Sequence, residues 1–98
     1  MIRVTLPAQL CTLANVNREV ELQVEGSASV SAVLDALELR YPMLQGTIRD
    51  QLTRERRPFI RYFACGEDIS LEPASNQLPE EITAGKQPLR VVGAMAGG

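Results

Sequence analysis

The most constraining feature of this sequence is a strand pattern that is followed closely by a helix pattern. Residues 19–25 alternate between polar and apolar side chains, as in a strand with one buried face. Ser29 is a suitable N-cap for a helix over about 30–40, which Pro42 prevents from continuing. The apolar stripe of this helix has helical spacing and comprises Val30, Val33, Leu34 and Leu37. The opposite, solvent-facing side is expected to carry Asp35, Glu38 and Arg40. The pattern therefore predicts a half-buried strand packed on an amphipathic helix.

A further strand precedes this unit. Residues 2–6 alternate in the same way and end at Pro7, which predicts a first strand that forms a hairpin with the second. The intervening residues 8–17 have no clear period and are expected to form a loop. After the long helix, we expect a looser helical segment with apolar residues at Leu44, Ile48 and Leu52.

The second half of the chain predicts another hairpin and a last strand. Residues 59–65 are rich in aromatic and branched side chains, which is typical of a strand. A turn at 66–68 is expected to lead into a short return strand at 69–71. Residues 72–88 have loop composition, with room for one helical turn. Residues 89–92 predict a final strand that has little polar face and must therefore pair centrally in the sheet.

The order of these elements indicates an α+β architecture in one domain. Strands on both sides of one main helix favour a single sheet wrapped on that helix. A chain of 98 residues with 45% hydrophobic content is large enough to form one small core. The sequence has no internal repeat and no linker-like stretch, so we expect no second globular domain.

The composition argues against an active site made of side chains. The chain has no histidine, which excludes Cys–His and Ser–His–Asp catalysis and removes the commonest metal ligand. We therefore expect no catalytic residues and no metal site. Cys11 and Cys65 are too few for a disulfide scaffold and are expected to be small buried residues.

Charge and hydropathy give no indication of a nucleic-acid or membrane partner. The net charge is −2, and no apolar run approaches the length that spans a bilayer. The first residues lack the layout of a signal peptide. A cytoplasmic location is therefore expected.

Four segments together resemble the MoaD/ThiS-type ubiquitin-like sulfur-carrier proteins over nearly the whole chain. They are the first two strands, the helix SVSAVLDALELRYP, the segment RPFIRYFACGEDIS and the terminal AMAGG. The resemblance implies the β-grasp fold, with a mixed sheet of four to five strands wrapped on one main helix. It implies a domain at 1–92 and a flexible tail at 93–98 that ends in Gly-Gly. The chain departs from the family at Cys65-Gly66, often Asn-Gly, and at Lys86-Gln87, usually an acidic pair.

The resemblance also implies a function for Gly98. Its carboxylate would be adenylated by a ubiquitin-activating-type enzyme that uses ATP, and then converted to a thiocarboxylate by a sulfurtransferase or a sulfide source. A sulfur-accepting enzyme would take the sulfur into molybdopterin, thiazole, cysteine or a related metabolite. The chain would then be a carrier and a substrate rather than an enzyme, with no cofactor of its own.

Two groups of residues are the candidates for contact with such partners. Small or unbranched residues allow the tail to thread into a partner, namely Gly97, Ala96 and Met95. A docking surface is expected from aromatic and basic residues before and within the third strand, namely Phe59, Tyr62, Phe63, Arg57 and Arg61. At least two of these three aromatic side chains are expected to lie inside, because each buries a large area.

Two other functions fit the same sequence. The chain could be a ubiquitin-like modifier, conjugated through Gly98 to lysines of other proteins. Alternatively, it could be a non-covalent β-grasp interaction module in which the two terminal glycines have no role. The arginines at 54–61 fit either a docking patch or an ordinary solvated surface.

Overall fold

The strands form one mixed sheet. The computed structural model describes residues 1–26 and 28–93. In these residues the elements are, in chain order, β1 (Ile2–Thr5), α1 (Ala8–Ala14), β2 (Glu19–Leu22), α2 (Val30–Arg40), a 3₁₀ helix (Pro42–Leu44), β3 (Ile60–Ala64), β4 (Glu67–Asp68), α3 (Glu80–Thr83) and β5 (Leu89–Gly93). The strand order is β2-β1-β5-β3-β4, with β1 and β5 parallel and the other neighbours antiparallel. The β-grasp prediction and the central position of the last strand are confirmed.

One face of the sheet is covered by α2. Ser29 caps this helix as predicted, because its hydroxyl oxygen accepts a hydrogen bond of 3.1 Å from the amide of Ala32. The predicted stripe of α2 is buried against the inward-facing strand residues Ile2, Val4, Val20, Leu22, Ile60, Tyr62, Leu89 and Val91. The longest helix has only 11 residues, and within 1–26 and 28–93 no helix is long and apolar enough to cross a bilayer.

The connection between β1 and β2 differs from the prediction. The two strands are antiparallel neighbours, as expected, but α1 forms where a loop was predicted. This helix has seven residues, so Leu10, Cys11 and Ala14 give too little of a stripe for its period to be recognised. It ends at Asn15, whose φ of 56° places it in the left-handed region that terminates many helices.

Glu38 lies on the buried side of α2, which corrects its predicted exposure. Its side chain is buried because both carboxylate oxygens accept hydrogen bonds from Arg49, from Nε at 2.9 Å and from Nη2 at 3.1 Å. Charged side chains are buried only when they find such partners. Arg49 lies in the irregular segment after the 3₁₀ helix, so the pair depends on tertiary packing.

The segment after α2 is not the looser helix that the apolar spacing predicted. It begins as the 3₁₀ helix and continues as turns, with Leu44 and Ile48 fully buried. Leu52 is instead 92% exposed. It lies in a turn closed by Asp50, whose Oδ1 accepts hydrogen bonds from the amides of Leu52 and Thr53.

The return strand after β3 starts earlier than predicted. Cys65 and Gly66 alone form the turn, with φ of 53° and 83°, so β4 already begins at Glu67. Two positive φ values are characteristic of the tight type I′ hairpin turn. Residues 69–71 therefore lie beyond the strand, where the Ser70 hydroxyl accepts a hydrogen bond of 2.8 Å from the amide of Tyr62.

Candidate functional site

The face of the sheet opposite α2, called the outer face here, is the first candidate surface. It consists of the strand residues that alternate with the buried ones, Arg3, Thr5, Glu19, Glu21, Arg61, Phe63, Asp68, Arg90 and Val92. Arg61 is paired with Val92, and Phe63 is paired with Arg90. This register makes Phe63 and Val92 diagonal neighbours, which brings them within reach of each other. The outer face therefore has a small apolar patch between two arginines.

The arginines of the outer face differ in how their charge is neutralised. Arg3 contacts Glu19 at 3.3 Å, and Arg61 contacts Asp68 at 3.6 Å. Hydrogen bonds from Ser70 hold the pKa of Asp68 below its usual value, so this carboxylate is ionised near neutral pH. Within residues 1–26 and 28–93, the side chain of Arg90 makes no ion pair and no hydrogen bond, and it is exposed. Arg90 is therefore available to a carboxylate of a partner.

A groove of about 640 Å³ adjoins this face where β1 and β5 end side by side. Its walls are formed by residues 5–9, 16–18 and 90–93, together with Cys11. Among the described residues that line it, two are arginines, Arg18 and Arg90, and none is acidic. The groove thus favours an acidic or neutral segment over a basic one. Gly93, the last described residue, forms one end of its lining.

The aromatic residues predicted for docking lie in different layers. Phe59 is 40% exposed, and Phe63 is half-buried on the outer face. Tyr62 is only 5% exposed and points to the α2 side of the sheet. Tyr62 therefore cannot belong to a docking surface on the outer face. The expectation that at least two aromatics are buried was wrong, because the period of β3 places Tyr62 and Phe63 on opposite faces.

The two arginines predicted for docking also differ. Arg61 is on the outer face, with 43% of its side chain exposed. Arg57 is half-buried, and its Nε donates a hydrogen bond to the backbone carbonyl of Gly46. That contact connects Arg57 to the turn after the 3₁₀ helix, which leaves less of it free for a partner.

Gly98, which was predicted to carry the chemistry, lies outside the described residues. The residues predicted to thread into a partner also lie outside them, namely Met95, Ala96 and Gly97. Gly93, which was expected to begin the tail, is the last residue of β5 and pairs with Ile60. A Cβ at this position would come within 3.7 Å of Pro7, an ordinary contact distance. The chain thus enters the segment 94–98 from the central strand, at the end of the groove.

The two cysteines are less buried than expected. Cys11 is partly buried in the groove wall, and its thiol donates a weak hydrogen bond to the carbonyl of Leu6 at 3.5 Å. Cys65 is exposed at the turn between β3 and β4, so its expected burial was wrong. The sequence could have indicated this position, since a two-residue turn places both of its residues at the surface.

Sequence reasoning missed Arg90, Val92 and Arg18 as surface residues of this site. The final strand ends in a continuous apolar run, which left the orientation of its residues open. Which side chains of β5 face outward becomes clear only from the strand register, in which Arg90 lies between Thr5 on β1 and Phe63 on β3. Arg18 reaches the same groove because α1 brings the start of β2 back beside the end of β1.

The strand order and the one long helix of the described residues define the ubiquitin-like β-grasp fold, and the solved structures that follow support the resemblance to the MoaD/ThiS-type proteins. No family model and no curated protein matches the chain. Solved structures do. SAMP1 from Haloferax volcanii is 26% identical, with a TM-score of 0.75, over 98% of this chain and 97% of that one. A second similar structure is described as H. volcanii small archaeal modifier protein 1. It is also 26% identical, with a TM-score of 0.70 over 95% of both chains.

Two further similar structures contain CysO. A chain of the Amycolatopsis orientalis BexX/CysO complex is 20% identical, with a TM-score of 0.77, and the match covers 100% of both chains. Mycobacterium tuberculosis CysO is 17% identical, with a TM-score of 0.74, over 97% of this chain and 100% of that one. At these identities the likeness shows the fold. The general kind of protein is supported by the 26% identity with SAMP1, which is described as a small archaeal modifier protein, over nearly the full length of both chains.

Proposed function

We propose that this chain is a sulfur-carrier protein whose Gly98 carboxylate is adenylated and converted to a thiocarboxylate. The observation that carries the proposal is the course of β5. This strand lies in the centre of the sheet and contributes residues to both the outer face and the groove. It leads into the segment that contains Gly97 and Gly98. A body that docks through this face would therefore present its glycines to the same partner.

The chemistry of the proposal needs only a carboxylate from this chain. The adenylating enzyme joins the Gly98 carboxylate to the α-phosphate of ATP and releases pyrophosphate. Hydrosulfide then attacks the acyl carbon and releases AMP, which leaves a thiocarboxylate with one sulfur atom in place of one oxygen. A sulfurtransferase is an alternative source of that sulfur. The two glycines suit this step because an adenylating site must enclose the terminus closely, and glycine adds no side chain.

The outer face and the groove support docking of the adenylating enzyme. Arg90 offers an unneutralised positive charge, and Phe63 and Val92 offer an apolar contact beside it. Interfaces typically combine an apolar centre with charged residues at the rim. The BexX/CysO complex supports the proposal, since a protein of the same fold is found there with a protein partner. The sulfur would pass to an accepting enzyme of molybdopterin, thiazole, cysteine or related biosynthesis.

Intact-protein mass spectrometry tests the proposal. The chain is purified gently from its native cells, and a second sample is incubated with ATP, sulfide and its adenylating enzyme. We expect replacement of one oxygen by one sulfur, localised to the peptide that ends at Gly98. A variant that lacks Gly98 serves as the control and should stay unmodified while it folds normally. A plain carboxylate in both wild-type samples would refute the proposal and favour the non-covalent interaction module.

A second candidate function is conjugation to other proteins. The observation in its favour is the 26% identity with SAMP1, which is described as a small archaeal modifier protein, over almost the whole chain. In this function the lysine amine, rather than a sulfur nucleophile, attacks the activated Gly98 carbonyl. Recovery of a peptide with Gly98 joined to a lysine side chain would support it. Persistent absence of such peptides, together with a detectable thiocarboxylate, would leave only the carrier function.

A further inference from the structure

A second cavity, here called the α2 cavity, lies on the opposite side of the sheet from the outer face. Its volume is about 350 Å³, which is within the lower range of small-molecule sites. It is lined by the start of α2, by residues 54–56 and 69–72, and by Tyr62 and Arg49, among others. None of the surfaces used in the proposed function contributes to it. Its ligand therefore has to be inferred from its own polar groups.

Tyr62 is a lining residue of this cavity that carries a hydroxyl group. The residue is 5% exposed, yet its hydroxyl has no hydrogen-bond partner among the described residues. Every fully enclosed side-chain nitrogen or oxygen in that part of the chain does have a partner. The Tyr62 oxygen is therefore not fully enclosed, and we take the α2 cavity that the residue lines as the space it faces. Burial raises the pKa of Tyr62 to about 12, against the opposing charges of Arg49 and Arg56. The hydroxyl is consequently protonated at neutral pH and can donate a hydrogen bond.

Arg56 lines the same cavity as Tyr62 and supplies a positive charge that has no ion-pair partner among the described residues. Its Nε donates to the carbonyl of Ser70 at 3.3 Å, and its Nη1 donates to the carbonyls of Arg57 and Ile60. Within 1–26 and 28–93, its Nη2 has no partner and no carboxylate lies within ion-pair distance. These backbone contacts hold the guanidinium in place. They leave one pair of donors, on Nη2, available to a ligand.

The remaining charges at the α2 cavity indicate how much negative charge its ligand carries. Arg49 and Arg54 are balanced by Asp35 and Glu38 in one ion-pair cluster. The cavity is also lined by two exposed carboxylates, Glu55 and Glu72, which repel anions. Because these carboxylates are close to the one arginine of the lining that has no ion-pair partner among the described residues, the cavity fits a monoanion better than a dianion such as phosphate. The rest of the lining includes the apolar side chains Val30, Leu34, Ile69, Leu71 and Ala74.

We propose that the α2 cavity binds a small organic monocarboxylate. Its carboxylate accepts hydrogen bonds from Arg56 Nη2 and from the Tyr62 hydroxyl, and its apolar body packs against the apolar lining. Two donors, one of them charged, match the two oxygens of a carboxylate. The proposal is independent of sulfur transfer, and it assigns this side of the molecule to a free metabolite or an effector.

A titration of the full chain with benzoate, followed by two-dimensional NMR of backbone amides, tests the proposal. We expect saturable shifts at Ser31, Tyr62 and Ser70, with a dissociation constant on the order of 1 mM for so small a ligand. Benzamide has the same shape without the charge and should bind at least tenfold more weakly. Inorganic phosphate should not compete.

Tyr62→Phe removes only the hydroxyl and should weaken benzoate binding roughly tenfold, the effect of one hydrogen bond to a charged group. Tyr41→Phe is the matched control, because Tyr41 is half-buried and lies away from the α2 cavity. The absence of saturable shifts, or equal binding of benzamide, would overturn the proposal without any variant. Equal affinity in Tyr62→Phe, or tighter binding of phosphate, would also overturn it.

Discussion

At the scale of single residues, the turn between β3 and β4 contains one residue that suits a positive φ, Gly66, and one that does not, Cys65. Cys65 and Gly66 both have positive φ, which glycine adopts at no cost and other residues adopt with strain. Asparagine tolerates the left-handed region better than most residues, which explains its frequency before glycine in turns of this type. The thiol of Cys65 is exposed, so the side chain contributes no core packing in return.

Replacement of Cys65 by asparagine should therefore stabilise the protein. We expect Cys65→Asn to raise the free energy of unfolding by about 0.5 kcal/mol, since Asn-Gly is the favoured type I′ pair. Cys65→Ala is the control, because it removes the thiol without adding the preference of asparagine. Urea unfolding of the three proteins gives the comparison. An equal gain in both variants would attribute the effect to the thiol instead of the backbone.

Position 85 requires glycine for two reasons, its positive φ and the lack of space for a side chain. Its φ is 79°, and a Cβ there would lie 2.7 Å from the carbonyl oxygen of Met1. The carbonyl of Gly85 also accepts a hydrogen bond of 3.0 Å from Arg3 Nε, which joins this turn to β1. A side chain at Gly85 would therefore displace the start of the first strand.

Gly85→Ala should destabilise the protein by about 3 kcal/mol, from left-handed strain together with the steric overlap. Gly66→Ala provides the matched control. Its φ of 83° is nearly the same, but nothing lies within 4 Å of the added Cβ, so we expect a loss of only about 1 kcal/mol. Thermal unfolding measured by circular dichroism distinguishes the two. Equal losses would show that the contact with Met1 relaxes easily.

At the scale of elements, an ion-pair cluster attaches the segment after the 3₁₀ helix to α2. Arg49 contacts Glu38 and Asp35, and Arg54 contacts the same two carboxylates from the surface. Burial opposes the charge on Arg49, but the hydrogen bonds that Arg49 donates to Glu38 and Asp35, together with the charges of these carboxylates, outweigh it, so the pKa of Arg49 lies above its usual value. Arg49 therefore stays charged, and the stability of the folded protein depends on the carboxylates that pair with it.

Removal of Glu38 should be far more damaging than removal of Asp35. Glu38→Ala leaves the guanidinium of Arg49 buried beside one exposed partner, and we expect a loss of about 3 kcal/mol in the free energy of unfolding. Asp35 is 60% exposed, so Asp35→Ala should cost less than about 1 kcal/mol. Urea denaturation measures both. The double variant Glu38→Leu with Arg49→Met should recover much of the loss, and its failure to do so would indicate that packing, rather than charge, causes the effect.

The same elements show what the sequence predicts and what it does not. The long helix was predictable from its own residues, because Ser29, Pro42 and the apolar stripe specify it locally. The burial of Glu38 was not predictable, since its partner Arg49 is eleven positions away in an irregular segment that only the tertiary fold brings close. Of the outer face, Phe63 and Arg61 were predictable from the strand pattern. Arg90 needed the register of β5.

At the scale of the whole molecule, the sheet separates two surfaces with different chemistry. The outer face and the groove combine Arg90 with the half-buried apolar side chains of Phe63 and Val92, and β5 leads from there to the segment that contains the terminal glycines. The α2 cavity lies on the α2 side of the sheet and is lined by Tyr62 and by the two arginines of the ion-pair cluster, among others. A macromolecular partner on one surface would therefore leave the other accessible. Docking at the outer face can therefore be tested by making the same charge change at two positions, one inside this face and one away from it.

Arg90→Glu should reduce activation of the tail because it places a negative charge at the centre of the proposed docking face. We expect kcat/KM of the adenylating enzyme for this carrier to fall about thirtyfold, since like charges at an interface cost several kcal/mol at most and salt weakens them. The measurement is ATP–pyrophosphate exchange at several salt concentrations. The wild-type rate should decrease as salt increases, whereas the variant should respond less.

Arg40→Glu makes the same change in net charge beside the β2 edge of the sheet, away from Arg90, and it is the control for location. Arg40 is exposed at the end of α2, where its guanidinium lies 5.7 Å from the ring of Tyr41. Activation of this variant should stay within about twofold of wild type, because Arg40 lies beside the β2 edge of the sheet, two strands or roughly 10 Å from Arg90, which is about one screening length. Equal losses in both variants would mean that long-range attraction, and not docking at Arg90, brings the partners together. An unchanged rate in Arg90→Glu would exclude the outer face as the surface that presents Gly98.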